Sequence, residues 1–319
     1  MSKEENKKDD VELEDLSLAE QAYYLGYGYY YGIKVDVDRE RGLNLLKEAA
    51  DLESVDAICA LINIYEDEAG EDQDEREAVK WRERQVVVYK HIYGMSDERT
   101  MTAFGNLAYA LCEAEEFERS REIGEPLLEM RSAFLGKTHP DTLTAMSNLA
   151  YVYGKLGDKR RACEMEEKLL DIRREMAGDK IDEDTLHTMN NLAVTYGQLG
   201  EHRRSYEMLE KVLDGRISLL GTEDPETLIT MSNLAVAAAE IGENGRAVEM
   251  LEKVVEIRTR VLGYNHPDTA ISRNNLGYVL CDLGEYERSL KIHTEIVARD
   301  GCIGMVISQN ARATLNNLL

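Results

Sequence analysis

Residues 141–157 read DTLTAMSNLAYVYGKLG, and a recognisable version of this phrase returns every 42 or 43 residues. Its Asn-Leu step falls at Asn106-Leu107, Asn148-Leu149, Asn191-Leu192, Asn233-Leu234, Asn275-Leu276 and Asn317-Leu318. A threonine keeps the same beat at Thr100, Thr142, Thr185, Thr227 and Thr269. Self-similarity at a fixed period of this size is the mark of a stacked-repeat architecture. Within the quoted copy, Leu143, Met146, Ala150 and Tyr153 fall at i, i+3, i+7 and i+10, with Leu149 beside them. That spacing gives one apolar face of a helix. After Gly157-Asp158, the series Ala162, Met165, Leu169, Ile172 and Met176 repeats the pattern on a second helix. Two helices with one apolar face each bury those faces on one another and on the next pair. Pro140 suits a first helical turn, Asp141 suits the positive end of the helix dipole, and Gly136 and Gly157 punctuate the connections.

The first-helix phrase x-L-x-x-M-x-N-L-A-x-x-Y, followed by Gly and then Ala or Ser early in the second helix, resembles the tetratricopeptide repeat. The connection Leu-Gly-x-x-His-Pro-Asp-Thr occurs at Leu135–Thr142 and Leu262–Thr269, with a close variant at Leu220–Thr227. Together with the 42-residue period it resembles the kinesin-light-chain subtype. The stretch 177–185 departs from that pattern, lacking the proline and carrying one extra residue. The resemblance covers residues 93–319 as five repeats plus a final helix at Ile307–Leu319. It implies an all-α, right-handed α-solenoid, a superhelix of antiparallel helical pairs, about fifteen helices long.

Upstream, residues 17–92 leave the 42-residue beat. Ala22, Leu25, Gly26, Tyr29 and Gly32, then Val35, Asp38, Gly42 and the pair Ala49-Ala50, form a pattern that resembles Sel-like helical repeats. Ala57, Leu61 and Tyr65 open a poorer second copy, which carries the acidic loop at 66–77 and a long helix around Trp81. This region holds Tyr23, Tyr24, Tyr27, Tyr29, Tyr30 and Tyr31, six rings within nine positions, which cannot all face inward from one helix. They form either a packed face with some rings exposed or an aromatic binding patch. Residues 1–16 are charged and read as a disordered tail without a secretory signal.

The chain is 43% hydrophobic, enough for a sizeable core, and no run of 18 apolar residues offers a membrane span. A net charge of −24 and a pI near 4.7 repel phosphate backbones and anionic lipid, so neither nucleic acid nor membrane is an expected partner. Cys59, Cys112, Cys163, Cys281 and Cys302 are odd in number and scattered, without C-x-x-C, as in a reducing, cytoplasmic compartment. His139 and His266 belong to the repeat connection, and His91, His187, His202 and His293 lack metal spacing. No P-loop, G-x-S-x-G or dinucleotide fingerprint occurs, and the acidic loop lacks the calcium register. The expectation is a non-catalytic chain with no cofactor and no metal.

Arg119, Arg161, Arg204, Arg246 and Arg288 share one position early in each second helix. Glu122, Glu164, Glu207 and Glu249 lie three residues on, so the expectation is a surface ion-pair ladder, with a basic ridge for an acidic partner as the alternative.

The first helix also has a face turned away from its apolar stripe. At roughly 100° per residue this face carries Thr144, Asn148, Tyr151 and Lys155 in the quoted copy. The matching sets are Thr102, Asn106, Tyr109 and Glu113; His187, Asn191, Val194 and Gln198; Ile229, Asn233, Val236 and Glu240; and Ile271, Asn275, Tyr278 and Asp282. The tetratricopeptide resemblance makes this stripe a concave groove. In the kinesin-light-chain family the equivalent asparagines hold the backbone of an extended peptide, which a side-chain amide can do as donor and acceptor. The competing reading is that each asparagine bonds a neighbouring helix and fixes repeat geometry. Ile229, Val236, Ile271 and Tyr278 are apolar on a face that should be wet, which marks either an anchor pocket or contact with the adjacent repeat. The stripe has one lysine, one histidine and three acidic residues, unlike the basic groove of kinesin light chains. That family's acidic ligand preference and motor-adaptor role are therefore not carried over. The expected partner is a protein or peptide with apolar anchors and neutral or basic flanks. Arg273 replaces the Phe104, Met146, Met189 and Met231 of other copies, and either reaches the groove edge or pairs with the final helix. Self-association into a homo-oligomer through the tyrosine-rich or C-terminal end, and a regulatory sensor arm, are the other functions that this sequence admits.

Overall fold

In a computed structural model, residues 16–67, 73–178 and 182–300 are described, with side chains through Ile296. The expected tail, the tip of the acidic loop, Cys302 and the final helix at Ile307–Leu319 lie outside or partly outside these residues. The described residues form fourteen α-helices and no strand, in two compact units that divide at Leu156/Gly157. The first unit holds α1 (Leu18–Tyr31), α2 (Arg39–Asp51), α3 (Val55–Glu66), α4 (Glu75–Tyr93), α5 (Glu98–Glu113), α6 (Phe117–Phe134) and α7 (Pro140–Lys155). The second holds α8 (Lys159–Ala177), α9 (Glu183–Gln198), α10 (His202–Leu220), α11 (Pro225–Glu240), α12 (Asn244–Leu262), α13 (Pro267–Asp282) and α14 (Tyr286–Asp300). Within each unit every helix packs on the next in sequence. In the second unit the first helix α11 also touches the first helices α9 and α13 directly. None of the described helices is long and apolar enough to cross a membrane.

Local chemistry explains the repeated geometry. His139 and His266 are the N-caps of α7 and α13, and each imidazole Nδ1 accepts the backbone N–H two residues on at 3.2 Å. Asp224 does the same work for α11. Proline follows all three caps at the first helical position, where its missing N–H costs nothing. The ruler threonines are buried, and Thr142 and Thr269 donate to the carbonyls of Gly136 and Gly263 at 2.8 and 3.0 Å. Those loop glycines have φ of 94° and 92°, a left-handed backbone that a side chain would strain.

The apolar stripe of the quoted copy is buried as expected: Leu143, Met146, Leu149, Ala150 and Tyr153 are all interior. Ala162 and Leu169 of α8 are buried too, but Met176 is 54% exposed, a correction to its expected core position. It lies in the last turn of a 19-residue helix, whereas its partner α9 has only 16 residues.

At the N-terminal end, α1 and α2 approach at two glycines. A Cβ on Gly42 would lie 2.6 Å from the Tyr30 nitrogen, and one on Gly26 would lie 2.8 Å from the Leu46 nitrogen. Backbone cannot give way there as a flexible side chain can. Gly42→Val is expected to destabilise the first unit by about 2 kcal/mol or more through overpacking. A loss below about 0.5 kcal/mol, read from urea unfolding, would show that the helices can part at little cost. Of the six tyrosines, Tyr30 is buried, Tyr23, Tyr27 and Tyr29 are half-buried, and Tyr24 and Tyr31 are exposed. The Arg41 guanidinium covers the Tyr29 ring at 4.1 Å.

Candidate functional site

The outward stripe of first helices is where the sequence placed it. In the first unit, α5 presents Thr102, Asn106 and Tyr109, and α7 presents Thr144, Asn148 and Tyr151, all exposed. Asn106 and Thr102 line an open depression of about 450 Å³ with Gln85, Tyr89 and Arg99. The Lys155 ammonium sits 5.1 Å from the Tyr151 ring centre. In the second unit, α9 presents exposed His187 and Gln198 with half-buried Asn191 and Val194. On α11, Ile229 is 38% and Val236 41% exposed; on α13, Ile271 is 57% and Tyr278 47% exposed. Four large apolar side chains thus face outward from two helices that pack directly on each other.

The asparagines are not equivalent. Asn106 and Asn148 are exposed, whereas Asn191, Asn233 and Asn275 are half-buried. The Asn191 amide donates to His187 Nε2 at 3.2 Å, one turn away on the same helix. The Asn233 amide instead reaches across to Asn190 Oδ1 at 3.5 Å. Asn190, buried beside Asn191, was not singled out by periodicity, yet it joins α9 to α11. The Thr230 hydroxyl is shared between the Glu226 carbonyl at 3.1 Å and the same Oδ1 at 3.4 Å, and Thr230 in turn accepts from Arg216 at 2.8 Å.

Arg216 belongs to a series that sequence reading missed. Arg131, Arg173, Arg216 and Arg258 recur at the 42- or 43-residue period near the end of each second helix. Arg131, Arg216 and Arg258 are buried, and each donates to a backbone carbonyl in the first turn of the following helix: Asp141 at 2.9 Å, Glu226 at 2.8 Å and Asp268 at 3.1 Å. Arg173 pairs with the Asp184 carboxylate at 3.3 Å. The period alone would have found them. Composition gives no hint of their burial, because guanidinium groups are rarely fully buried.

The other arginine ladder is ion-paired, but not with the glutamates three residues ahead. Arg119, Arg204, Arg246 and Arg288 contact Glu116, Glu201, Glu243 and Glu285, three residues behind. Their second partner lies on the preceding second helix: Glu83, Glu167, Glu210 and Glu252. Arg161 pairs backwards with Asp158 at 3.3 Å. The reason is that a helical side chain tilts toward its own N-terminus, so an early arginine reaches back. The ladder clamps neighbouring repeats together, and the basic ridge is neutralised. Arg273 is also committed, pairing with Glu295 of α14 at 2.6 Å and stacking 4.0 Å from the Tyr264 ring centre.

The stripe of the second unit ends differently. Glu240 and Asp282 close α11 and α13, next to Val236 and Tyr278. Burial, and then the Glu240 carboxylate, hold the Asp282 carboxyl above its ordinary range. The Tyr278 hydroxyl is pushed up first by Asp282, then by burial, then by Glu240. Asp282 and Tyr278, two groups that resist negative charge, therefore share one small area with the Glu240 carboxylate.

Comparison with known proteins fits this architecture. A profile described as tetratricopeptide repeat matches residues 99–175, 184–260 and 242–300. No curated protein matches the sequence. A solved Podosopora anserina protein, a kinesin-light-chain-like chain with nearly identical TPR-like repeats, is similar at 24% identity and TM-score 0.56, covering 62% of this chain and 93% of that one. BtubC (BKLC) from P. vanneervenii is similar at 21% identity and TM-score 0.59, covering 77% and 93%. A STAND ATPase with a tetratricopeptide repeat sensor from Pyrococcus horikoshii is similar at 13% identity and TM-score 0.63, covering 93% of this chain and 44% of that one. At these identities the likeness is one of fold, while the profile spans more than half of the sequence, and the chain belongs to the tetratricopeptide repeat family.

Proposed function

We propose that the chain is a non-catalytic, cytoplasmic scaffold that holds a peptide segment of a partner protein on the first-helix face of its second unit. The observation that carries this reading is the four-residue apolar surface of Ile229, Val236, Ile271 and Tyr278 on adjoining α11 and α13. Apolar side chains grouped on a wet face are ready to be covered by a ligand. Proteins of this family bind protein or peptide partners, which supports the reading. Asn191, Asn233 and Asn275 stand beside these anchors and supply amide donors and acceptors to the ligand's polar groups. His187 adds to this chemistry on α9, and in the first unit Asn106, Asn148, Tyr109 and Tyr151 are proposed as peptide-binding residues on their own first helices. Within the family we assign the array from residue 93 onward to the kinesin-light-chain subtype and residues 17–92 to Sel-like repeats. The repeat period supports the first assignment, and the close α1–α2 approach at Gly26 and Gly42 supports the second. The described cysteines are all free thiols, in keeping with a reducing compartment.

Selection from a random dodecapeptide library displayed on phage tests the reading. The wild-type protein is expected to enrich a family of binders. The Ile229→Asp/Ile271→Asp variant is expected to bind them about 100-fold more weakly, as loss of central apolar anchors does. Identical binding by a variant whose circular dichroism is unchanged would move the function off this face.

A further inference from the structure

We infer that the segment held on α11 and α13 carries a lysine or arginine two residues from an apolar anchor, and that Glu240 and Asp282 receive that cation. This inference rests on the proposed peptide-binding face and goes further by naming the chemistry of its ligand.

The stripe has a row structure. Ile229, Val236 and Glu240 follow one another on α11 at i, i+7 and i+11, and Ile271, Tyr278 and Asp282 do the same on α13. At 1.5 Å per residue, the apolar rows are about 10 Å apart along the helices and the acidic row lies about 6 Å beyond the second of them. In an extended peptide, residues i and i+2 project on the same side roughly 6.6 Å apart. An apolar side chain seated between Val236 and Tyr278 therefore places the side chain two positions away over Glu240 and Asp282.

The charge of that side chain follows from a contrast with one row of glutamates on the second helices. On the second helices of the same unit, Glu167, Glu210 and Glu252 are each answered by the protein's own arginine: Arg204, Arg246 and Arg288. Among the described residues, Asp282 forms no ion pair. Glu240 has the His202 imidazole at 3.9 Å, which is charged only when protonated. Two carboxylates close enough to repel are thus left without a lysine or arginine, beside an aromatic ring able to face a cation. An incoming ammonium or guanidinium relieves that repulsion, whereas an acidic ligand would add a third negative charge. Within the second unit the corresponding position on α9 is the neutral Gln198, so in that unit the acidic row is confined to the two helices that carry the apolar anchors, while in the first unit Glu113 holds this register on α5. The net charge of −24 adds a long-range pull on a basic segment.

The test uses the same dodecapeptide library on the wild-type protein and on Glu240→Gln/Asp282→Asn. Wild-type binders are expected to be enriched in Lys or Arg two positions from an apolar residue. The neutralised variant is expected to bind those peptides about tenfold more weakly, and binding to it should lose most of its dependence on salt. Glu240→Lys/Asp282→Lys is expected to select acidic residues in place of basic ones. If the selected peptides need Ile229 and Ile271 but show no basic enrichment, or bind the neutralised variant unchanged, the inference fails while the peptide-binding face stands. If binding ignores Ile229→Asp/Ile271→Asp as well, both fail together.

Discussion

Arg216→Ala is expected to lower the stability of the second unit by about 3 kcal/mol, read as a shift in the urea midpoint followed by circular dichroism. The side chain is fully buried and ties three helices together. From α10 it donates to the Glu226 carbonyl and to Thr230 Oγ1, each at 2.8 Å, and its guanidinium also lies 2.9 Å from the Glu226 carboxylate and 3.3 Å from that of Glu183. Both carboxylates are over 40% exposed, so water screens much of their attraction and the pairing itself adds little. The larger losses are the packed stem, which leaves a cavity, and the two hydrogen bonds to the Glu226 carbonyl and Thr230 Oγ1. Arg216→Met separates these causes, because it refills the volume and restores no hydrogen bond. The expected order of stability is wild type, then methionine, then alanine. Because Thr230 also holds Asn190, which accepts from Asn233, the alanine variant should loosen the stripe asparagine as well. An alanine variant within 1 kcal/mol of wild type would show that the buried arginine series is not what locks consecutive repeats.

Glu166→Gln is expected to do the opposite, stabilising the protein at pH 8 by about 3 kcal/mol while leaving it nearly unchanged at pH 4.5. Glu166 is buried in α8, and one carboxylate oxygen lacks a partner among the described residues. The repeats that follow carry Leu209 and Leu251 at this register, both fully interior. Burial pushes the Glu166 carboxyl up to about 7 from an ordinary 4.5. A raised acid binds its proton more tightly when folded. Stability is therefore greatest while both states are protonated, falls as pH rises from about 4.5 to about 7, and stays low above that. Glutamine copies the protonated acid and removes the penalty. The difference between variant and wild type should grow through that window. A gain independent of pH, or no gain at pH 8, would refute the assignment. His293 moves stability the other way: burial lowers its imidazole below the ordinary 6.5, so its contribution is present above 6.5 and is lost as pH falls. Comparing the glutamine variant with wild type cancels that background.

Much of the molecule was legible in the sequence because one physical constraint, burial of a helix stripe, is imposed at every repeat. The step of about 100° per residue placed Tyr109, Tyr151, Ile229, Val236, Ile271 and Tyr278 outward, and all six are exposed. The prolines and histidines of the connections mark helix starts because capping is local chemistry. What escaped depends on reach between helices. The Arg119 series looked forward to Glu122 and its equivalents, yet tilt toward the N-terminus turns the side chains back. The Arg131 series has the right period, but a long polar side chain buried against backbone carbonyls leaves no amphipathic signature. Met176 fitted the apolar period and still faces solvent, since a period cannot say where the neighbouring helix stops. Asn190 and Asn191 are adjacent amides, and only packing reveals that the first one bridges helices.

The account stands or falls on whether a ligand covers α11 and α13. The direct measurement is methyl NMR of the full chain with its isoleucine δ1 groups labelled, titrated with a library-selected dodecapeptide. The account predicts that the Ile229 and Ile271 methyls shift and show contacts to the peptide, while Ile217, exposed on a second helix of the same unit, stays in place. Shifts centred on Ile217, or on Ile33 and Ile92 of the first unit, with Ile229 and Ile271 unmoved, would contradict it.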